Sequence, residues 1–426
     1  MSDSATKSPP GGPRRFEPYP AYRDSGVEWL GAIPAGWEVR RLKEVAAIQN
    51  GADHKHIEVN EGYPVIGSGG PFAFASDFMY DGESVLLGRK GTVDRPLYVN
   101  GRFWTVDTMY WTRITKGASA RFVYYAALTI PFDYYSTNTA LPSMTQSALS
   151  NHAVAIPALS EQRAIATFLD RETARIDALV AKKERLITLL QERRTALITH
   201  AVTKGLDPAA PMKDSGVGWL GEIPVKWEVL KATWLFSIGS GTTPSSDDPA
   251  YFGGDIPWIT TSELRESEIW STEKSVSALA LSDYSSLKVH PAGSVAVAMY
   301  GATIGRLGIL RVRATTNQAC CVFSEPRGVD PQFWYYWLQM YRPFLISLGY
   351  GGGQPNLSQD LLRSLRVPVP PEAEQQQIVE FLVVATVQVD SLIDKVRSAI
   401  THLRELRTAL ISAAVTGKID VREAAQ

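Results

Sequence analysis

The sequence predicts an α+β protein: two globular modules separated by two long helices, the helices pairing as an antiparallel coiled coil about a pseudo-two-fold axis. Three observations lead there. The chain repeats itself, two Gly- and Pro-free stretches carry a 3.5-residue apolar period, and short β-like runs alternate with Gly-rich turns between them. Its 426 residues suffice for two or three domains, and a balance of 45% apolar to 20% charged residues is globular, arguing against a disordered chain or a fibre.

The first repeat is a lead-in. Arg23-Asp24-Ser25-Gly26-Val27-Glu28-Trp29-Leu30-Gly31-Ala32-Ile33-Pro34 returns as Lys213-Asp214-Ser215-Gly216-Val217-Gly218-Trp219-Leu220-Gly221-Glu222-Ile223-Pro224, and Trp37-Glu38-Val39 returns as Trp227-Glu228-Val229, at an offset of 190 residues. The four tryptophans read as packing anchors. A second repeat has an offset of 213: Glu161-Gln162 with Glu374-Gln375, Phe168-Leu169 with Phe381-Leu382, Asp177 with Asp390, and Arg194-Thr195-Ala196-Leu197-Ile198 with Arg407-Thr408-Ala409-Leu410-Ile411. Between these flanks, about Gly51–Leu141 and Gly241–Gln354 share only faint echoes, so the plan is constant lead-in, variable module and constant helix, written twice. The expected divisions are a flexible tail over 1–21, a module over 22–158, a helix over 159–204, a lead-in and second module over 205–370, and a final helix over 371–426.

Ser160 to about His200 and Glu372 to about Thr416 contain no Gly or Pro; Ser160 is a candidate N-cap, and Gly205 and Gly417 are natural stops. Steps of three and four residues pick out Ile165, Leu169, Ile176, Leu179, Leu186, Leu190 and Leu197 on the first. On the second they pick out Ile378, Leu382, Val389, Leu392, Val396, Leu403, Leu406 and Leu410. A 3.5-residue period held this long means coiled coil. Forty residues make a rod of about 60 Å, longer than a small domain is wide. Two such rods most simply bury their stripes against each other.

Each module mixes β-like runs (Ser84-Val85-Leu86-Leu87; Ser294-Val295-Ala296-Val297-Ala298) with one aromatic helical segment, Phe122–Leu128 or Phe333–Leu338, the latter capped by Asp330-Pro331. Charge follows the strands. Arg89, Lys90, Thr92 and Arg95 come after the first run, and Tyr300, Thr303, Arg306 and Arg311 occupy the matching place in the second. Strand-to-loop sites offer N–H groups, hydroxyls and Arg forks suited to phosphate and guanine. Polar residues Asn138, Gln354 and Asn356 stand in equivalent later stretches and could reach base edges. The plainer reading of all these side chains is a solvated loop surface.

The net charge of −1 excludes a bulk nucleic-acid coat, which needs strong positive charge, and leaves room for a specific reader with local basic groups. Two adjacent cysteines, Cys320 and Cys321, make no disulfide framework and fit a reducing, cytoplasmic setting. No window approaches the roughly 18 continuous apolar residues of a membrane span. Catalytic patterns fail. His54 and His56 lack a third spaced ligand, the NTPase phosphate loop is missing, and Asp330-Pro331-Gln332-Phe333 lacks the second proline of the adenine-methyltransferase motif. The chain reads as a non-catalytic subunit that binds no metal or cofactor.

Two variable modules alternating with two repeated helices, carrying Trp-Leu-Gly-x-Ile-Pro-x-x-Trp-Glu-Val and Arg-Thr-Ala-Leu-Ile-x-x-Ala-Val-Thr, resemble the specificity subunit of type I restriction–modification enzymes. The resemblance covers about Tyr22 to Arg422. It implies that each module is a target recognition domain reading one half of a bipartite double-stranded DNA site. It also implies that the paired helices fix the half-site spacing and dock two methyltransferase subunits, which motor-nuclease subunits join. S-adenosylmethionine, ATP and Mg2+ would then be used by those partners, for adenine methylation and restriction. A self-contained adenine methyltransferase and a coiled-coil protein adaptor are the rival readings. Because the modules differ, the two half-sites are expected to differ. Replacing Gly51–Leu141 by another module should change one half of the methylated motif, as mapped in the host genome; a change in both halves would refute the modular plan.

Overall fold

The computed structural model describes residues 16–135, 142–349 and 356–423. The chain divides into two compact units. One comprises the residues up to Glu184 together with those from Arg397 onward, and the other Arg185–Val396. Each unit therefore holds one mixed module and a portion of both long helices.

In the first unit the lead-in forms a hairpin, Tyr22–Asp24 against Ala32–Pro34, with Trp37 buried behind it. The module's strands are β1 (Ala46–Asn50), β2 (Glu58–Val59), β3 (Tyr63–Gly67), β4 (Gly70–Ala75), β5 (Tyr80–Asp81), β6 (Ser84–Gly88), β7 (Leu97–Val99), β8 (Arg102–Thr105) and β9 (Met109–Ile114). They make two sheets of order β7-β6-β9-β1 and β2-β4-β3-β8-β5. Strand β9 runs antiparallel to both β1 and β6, whereas β8 is parallel to β3. Helix α1 (Ala120–Ala127), capped by Ser119, follows. Its Phe122 and Tyr125 join Trp37, Leu42, Phe168 and Ile411 in one core, so the module is fused to the long helices of its own unit by apolar burial.

Helix α2 (Leu159–Lys204) leads into the second unit, where Met212–Asp214 and Glu222–Pro224 repeat the hairpin and Trp227 repeats the buried anchor. Here the strands are β10 (Ser237–Ser240), β11 (Phe252–Ile259), β12 (Ser267–Ile269), β13 (Ser275–Val276), β14 (Val295–Ala298), β15 (Leu307–Leu310), β16 (Thr315–Thr316) and β17 (Cys320–Ser324). Their sheets run β10-β17-β14-β15-β12 and β13-β11-β16. Again β17 is antiparallel to both β10 and β14, and β16 is parallel to β11. The two modules thus share a backbone plan that their sequences scarcely betray. Helix α3 (Pro331–Ser347) buries Phe333, Trp334 and Trp337 against Trp227 and Leu382.

The last helix is α4 (Glu372–Val415). Both long helices start at a buried glutamine, which explains the repeated Glu-Gln pair. Gln162 donates to the carbonyls of Pro157 (2.9 Å) and Gly117 (3.3 Å) and accepts from the Ser119 N–H (2.9 Å). Gln375 does the same with Pro370 (2.9 Å), Gly328 (3.0 Å) and Asp330 (2.7 Å). An apolar residue there would strand three backbone groups. Ser160 sits inside the first turn, since α2 already begins at Leu159, while Gly205 (φ +77) and Gly417 (φ +71) end their helices in the left-handed region.

The two helices pair antiparallel. In the first unit Asp177 receives Arg407 (3.0 Å) and Glu184 receives Arg404 (2.9 Å); in the second, Asp390 receives Arg194 (3.0 Å). Of the fifteen expected stripe residues, eleven are covered and four are not. Ile165, Leu169, Ile176, Leu190, Leu197, Ile378, Leu382, Val389, Val396, Leu403 and Leu410 are buried or half-buried. Leu179, Leu186, Leu392 and Leu406 are 44, 40, 44 and 54% exposed and lie outside the seam. Their places are taken by Val180, Ile187, Ile393 and Arg407, one residue further on. A period of 3.5 is met equally by steps of four then three and of three then four, and at the first three of these places neighbouring apolar residues offered both. The observed choice turns Thr173 and Thr386 inward, where each hydroxyl bonds the carbonyl four residues back (2.6 and 2.7 Å), and brings Arg194 and Arg407 onto their aspartates.

By length and hydropathy α4 resembles a membrane span, with a mean hydropathy of 1.3 over its most apolar 18 residues. Leu382, Val389 and Ile393 of that helix are seam residues, whereas Phe381, Val383, Val384 and Val387 are exposed. The seam makes a direct prediction. Ile393→Asp should cost about 3 kcal/mol or more, roughly 6–12 °C in Tm, by burying a charge, whereas Leu392→Asp should change Tm little. Equal effects in thermal melts would overturn the seam assignment.

Candidate nucleic-acid interface

Strand direction gathers loops at one rim of each module. In the first unit β1, β3, β6 and β8 all end where β9 begins, because β9 is antiparallel to β1 and β6 and β8 is parallel to β3. In the second, β10, β11, β14 and β16 end where β17 begins. A glycine seals each rim. A Cβ on Gly51 would lie 2.1 Å from the Val106 carbonyl oxygen, and one on Gly241 would lie 1.7 Å from that of Thr316. The carbonyl after each glycine is held by a tryptophan, Trp104 Nε1 to Ala52 O (2.9 Å) and Trp258 Nε1 to Thr242 O (3.3 Å).

Next along the first rim, the N–H groups of Arg89 and Lys90 bond the Thr108 carbonyl (2.9 and 3.2 Å), and Lys90 forms a β-bridge with Ser143. The second rim repeats this: Met299 N–H bonds the Ala319 carbonyl (2.8 Å), and Tyr300 bridges Asn356. Four neighbouring backbone positions therefore correspond between the modules, Asp53 with Thr243, Asp107 with Gln318, Lys90 with Tyr300 and Ser143 with Asn356. All but half-buried Ser143 are exposed.

The residues singled out in the sequence fall on this frame unevenly. Arg89, half-buried, donates to the Asp107 carbonyl (3.2 Å) and lies over the Tyr110 ring at 5.8 Å, while Lys90, Thr92 and Arg95 are exposed on the same loop. Tyr300 and Asn356 are adjacent. The Thr303 hydroxyl closes the turn on the Tyr300 carbonyl (3.2 Å), and Arg306 begins the returning strand, half-buried. Near Arg306 lies Glu266, whose carboxyl burial pushes up against the pull of Arg342 and Arg306. Arg311 is separated from the group: it follows the far end of β15 and is held by Glu268 (2.5 Å) and Gln332 (3.3 Å), because a four-residue strand carries the chain away from the rim. Asn138 and Gln354 lie outside the described residues. Asp53, Asp107, Thr243 and Gln318 were not singled out as DNA-contacting residues. Alignment on Gly51 and Gly241 would have marked the first and third, since they stand two residues beyond; nothing local marks Asp107 or Gln318.

The rims differ in charge. The first carries Lys55, Arg89, Lys90 and Arg95 against Asp53, Asp94 and Asp107; the four corresponding positions of the second are hydroxyls and amides, with half-buried Arg306 on the turn that follows Tyr300. Among the described residues no group of three or more His, Cys, Asp or Glu could hold a metal ion. Burial pushes both cysteine thiols up to about 12. Asp330 is occupied as a helix cap, accepting from the N–H groups of Gln332 (2.7 Å) and Phe333 (3.0 Å), and Phe333 is fully buried, so neither faces a substrate.

A duplicated module with a constant frame and variable rim, joined by paired helices, defines a class of two-headed recognition proteins. The chain belongs to the family of the type I restriction modification DNA specificity domain, whose model matches residues 34–188 and 224–395. It is 24% identical to the type I restriction enzyme EcoBI specificity subunit of Escherichia coli over 434 residues, 93% of this chain and 89% of that protein. Its likeness to the MjaIX specificity subunit of Methanocaldococcus jannaschii is 31% over 168 residues, 38% of each chain. Two further proteins of that organism are matched over 62 and 66% of their length. Among solved structures, a chain of a type I R-M system aligns with a TM-score of 0.73 at 16% identity, covering 90% of this chain and 98% of that one. The HsdS subunit from Thermoanaerobacter tengcongensis aligns at 0.54, also 16% identical, covering 91% and 98%. These likenesses speak for the fold.

The glycine seals supply a test. Gly51→Ala and Gly241→Ala should each lower Tm measurably, because the new methyl group meets backbone oxygen, whereas Gly69→Ala, with nothing within 4 Å, should not. Unchanged melting of the first two would refute the tight rim.

Proposed function

We propose that this chain is the sequence-reading subunit of a type I restriction–modification complex, each rim reading one half of an asymmetric bipartite site in duplex DNA. The observation that carries the proposal is the doubled rim: one backbone frame presented twice with different side chains, which suits a scaffold that must read two different half-sites. Exposed N–H groups, hydroxyls, amides and Lys or Arg at strand ends are the groups that position phosphates and read base edges.

In this reading the paired helices fix the gap between half-sites and dock two methyltransferase subunits. The exposed apolar residues Phe381, Val383, Val384 and Val387 support a protein-covered face, since so many bare side chains on one helix invite burial. Adenine methylation with S-adenosylmethionine, and ATP- and Mg2+-dependent restriction, belong to the partner subunits, with this chain contributing no catalytic group. The use of the Asp330 carboxylate as a helix cap disfavours a self-contained methyltransferase.

Mapping methylated adenines in a host expressing the chain with its methyltransferase tests the proposal: a bipartite, non-palindromic motif is expected, and a continuous site or a perfect palindrome would refute it. Inserting four residues near Lys182, about one helical turn or 6 Å, should alter the gap while leaving both half-sites unchanged. An unchanged gap would remove the ruler.

A further inference from the structure

The four corresponding rim positions differ in chemistry in a consistent way. The first module carries Asp53, Asp107, Lys90 and Ser143, and the second carries Thr243, Gln318, Tyr300 and Asn356, on backbone neighbours bonded alike. At about 4.8 Å per strand, four positions span about 14 Å, which laid along the major groove equals about four base-pair steps of roughly 3.4 Å. The row can therefore meet several base pairs at once.

Base-edge chemistry separates the two rows. A lysine donates to guanine O6 and N7, and an aspartate accepts from cytosine N4; glutamine and asparagine pair with adenine N6 and N7, and a threonine methyl group meets the thymine methyl group. The Gln318 amide is already oriented, because the Thr243 hydroxyl donates to its Oε1 at 2.7 Å. This bond leaves the amide N–H groups of Gln318 and one lone pair on Oε1 to engage a base. A row without charge also gains little from counterions, so its contribution to binding must come from base edges.

We infer that these four-residue rows are the specificity determinants of the two modules, the Asp53–Asp107–Lys90–Ser143 row selecting G·C pairs and the Thr243–Gln318–Tyr300–Asn356 row selecting A·T pairs. The inference rests on the proposed function and names the residues and bases through which it would act.

The test uses the purified complex of this chain with its methyltransferase subunits and duplexes carrying each of the four base pairs at every half-site position. The wild type should prefer A·T at one position of the half read by the second module by about ten- to a hundred-fold. Gln318→Ala should reduce that preference to within about three-fold while the other half keeps its full discrimination, which also reports that the variant is folded. Gln318→Glu should turn the preference at that position from adenine to cytosine, a change misfolding cannot produce. A wild-type pattern in both variants, or equal loss in both halves, overturns the inference while bipartite binding by the wild type leaves the proposed function standing. A wild-type complex with no sequence preference overturns both.

Discussion

The antiparallel pairing of α2 and α4 is the constraint from which the rest of the structure follows. Neither helix can leave its apolar stripe in water, and each unit closes only by joining helix segments about two hundred residues apart, 230 for Asp177 and Arg407 and 196 for Arg194 and Asp390. Asp177 with Arg407 and Asp390 with Arg194 are the same contact made twice, once in each unit. These exposed pairs contribute little energy, but they fix which side of each helix meets the other. Burial of Ile176, Leu190, Val389 and Ile393 supplies the driving force, at about 25 cal/mol per Å² of apolar surface.

On that base the modules are held by cores that include the helices themselves. Phe168 and Ile411 share a core with Phe122 in the first unit, as Leu382 and Ile378 do with Trp334 in the second. Gln162 and Gln375 then tie each helix start to a module turn through buried hydrogen bonds. A rim mounted this way is pre-organised relative to the helix of its own unit, which lowers the ordering cost of any contact it makes. Constancy sits in the frame and variation in the side chains that the frame presents. That division lets the exposed side chains change without disturbing the fold.

Much of this was legible in the sequence. Helix extents followed from the absence of Gly and Pro, the shared stripe positions such as Leu169 and Leu382 from their period, and the strands Ser84–Gly88 and Val295–Ala298 from short apolar β-like runs among Gly-rich turns. The alternate stripe positions were not, because Leu179 and Val180, or Leu392 and Ile393, serve a 3.5-residue period equally. Only the partner helix decides between them. Arg311 looked equivalent to the basic loop of the first module, yet a short strand and Glu268 take it elsewhere. Asp107 and Gln318 were invisible as a pair because their correspondence exists only through strand pairing with residues far along the chain.

The net charge of −1 takes on a sharper meaning with the rims in view. Positive charge is gathered at the first rim, in Lys55, Arg89, Lys90 and Arg95, and three aspartates there offset much of it; the corresponding row of the second, Thr243, Gln318, Tyr300 and Asn356, is uncharged. A protein gripping phosphates with many cations binds any duplex and loses affinity steeply with salt. In the proposed reading a surface of amides and hydroxyls does neither, so it would discriminate while binding weakly by itself. On that proposal affinity would come largely from outside the rims, and the exposed valines and phenylalanine of α4 offer a partner protein an apolar face through which to bring it.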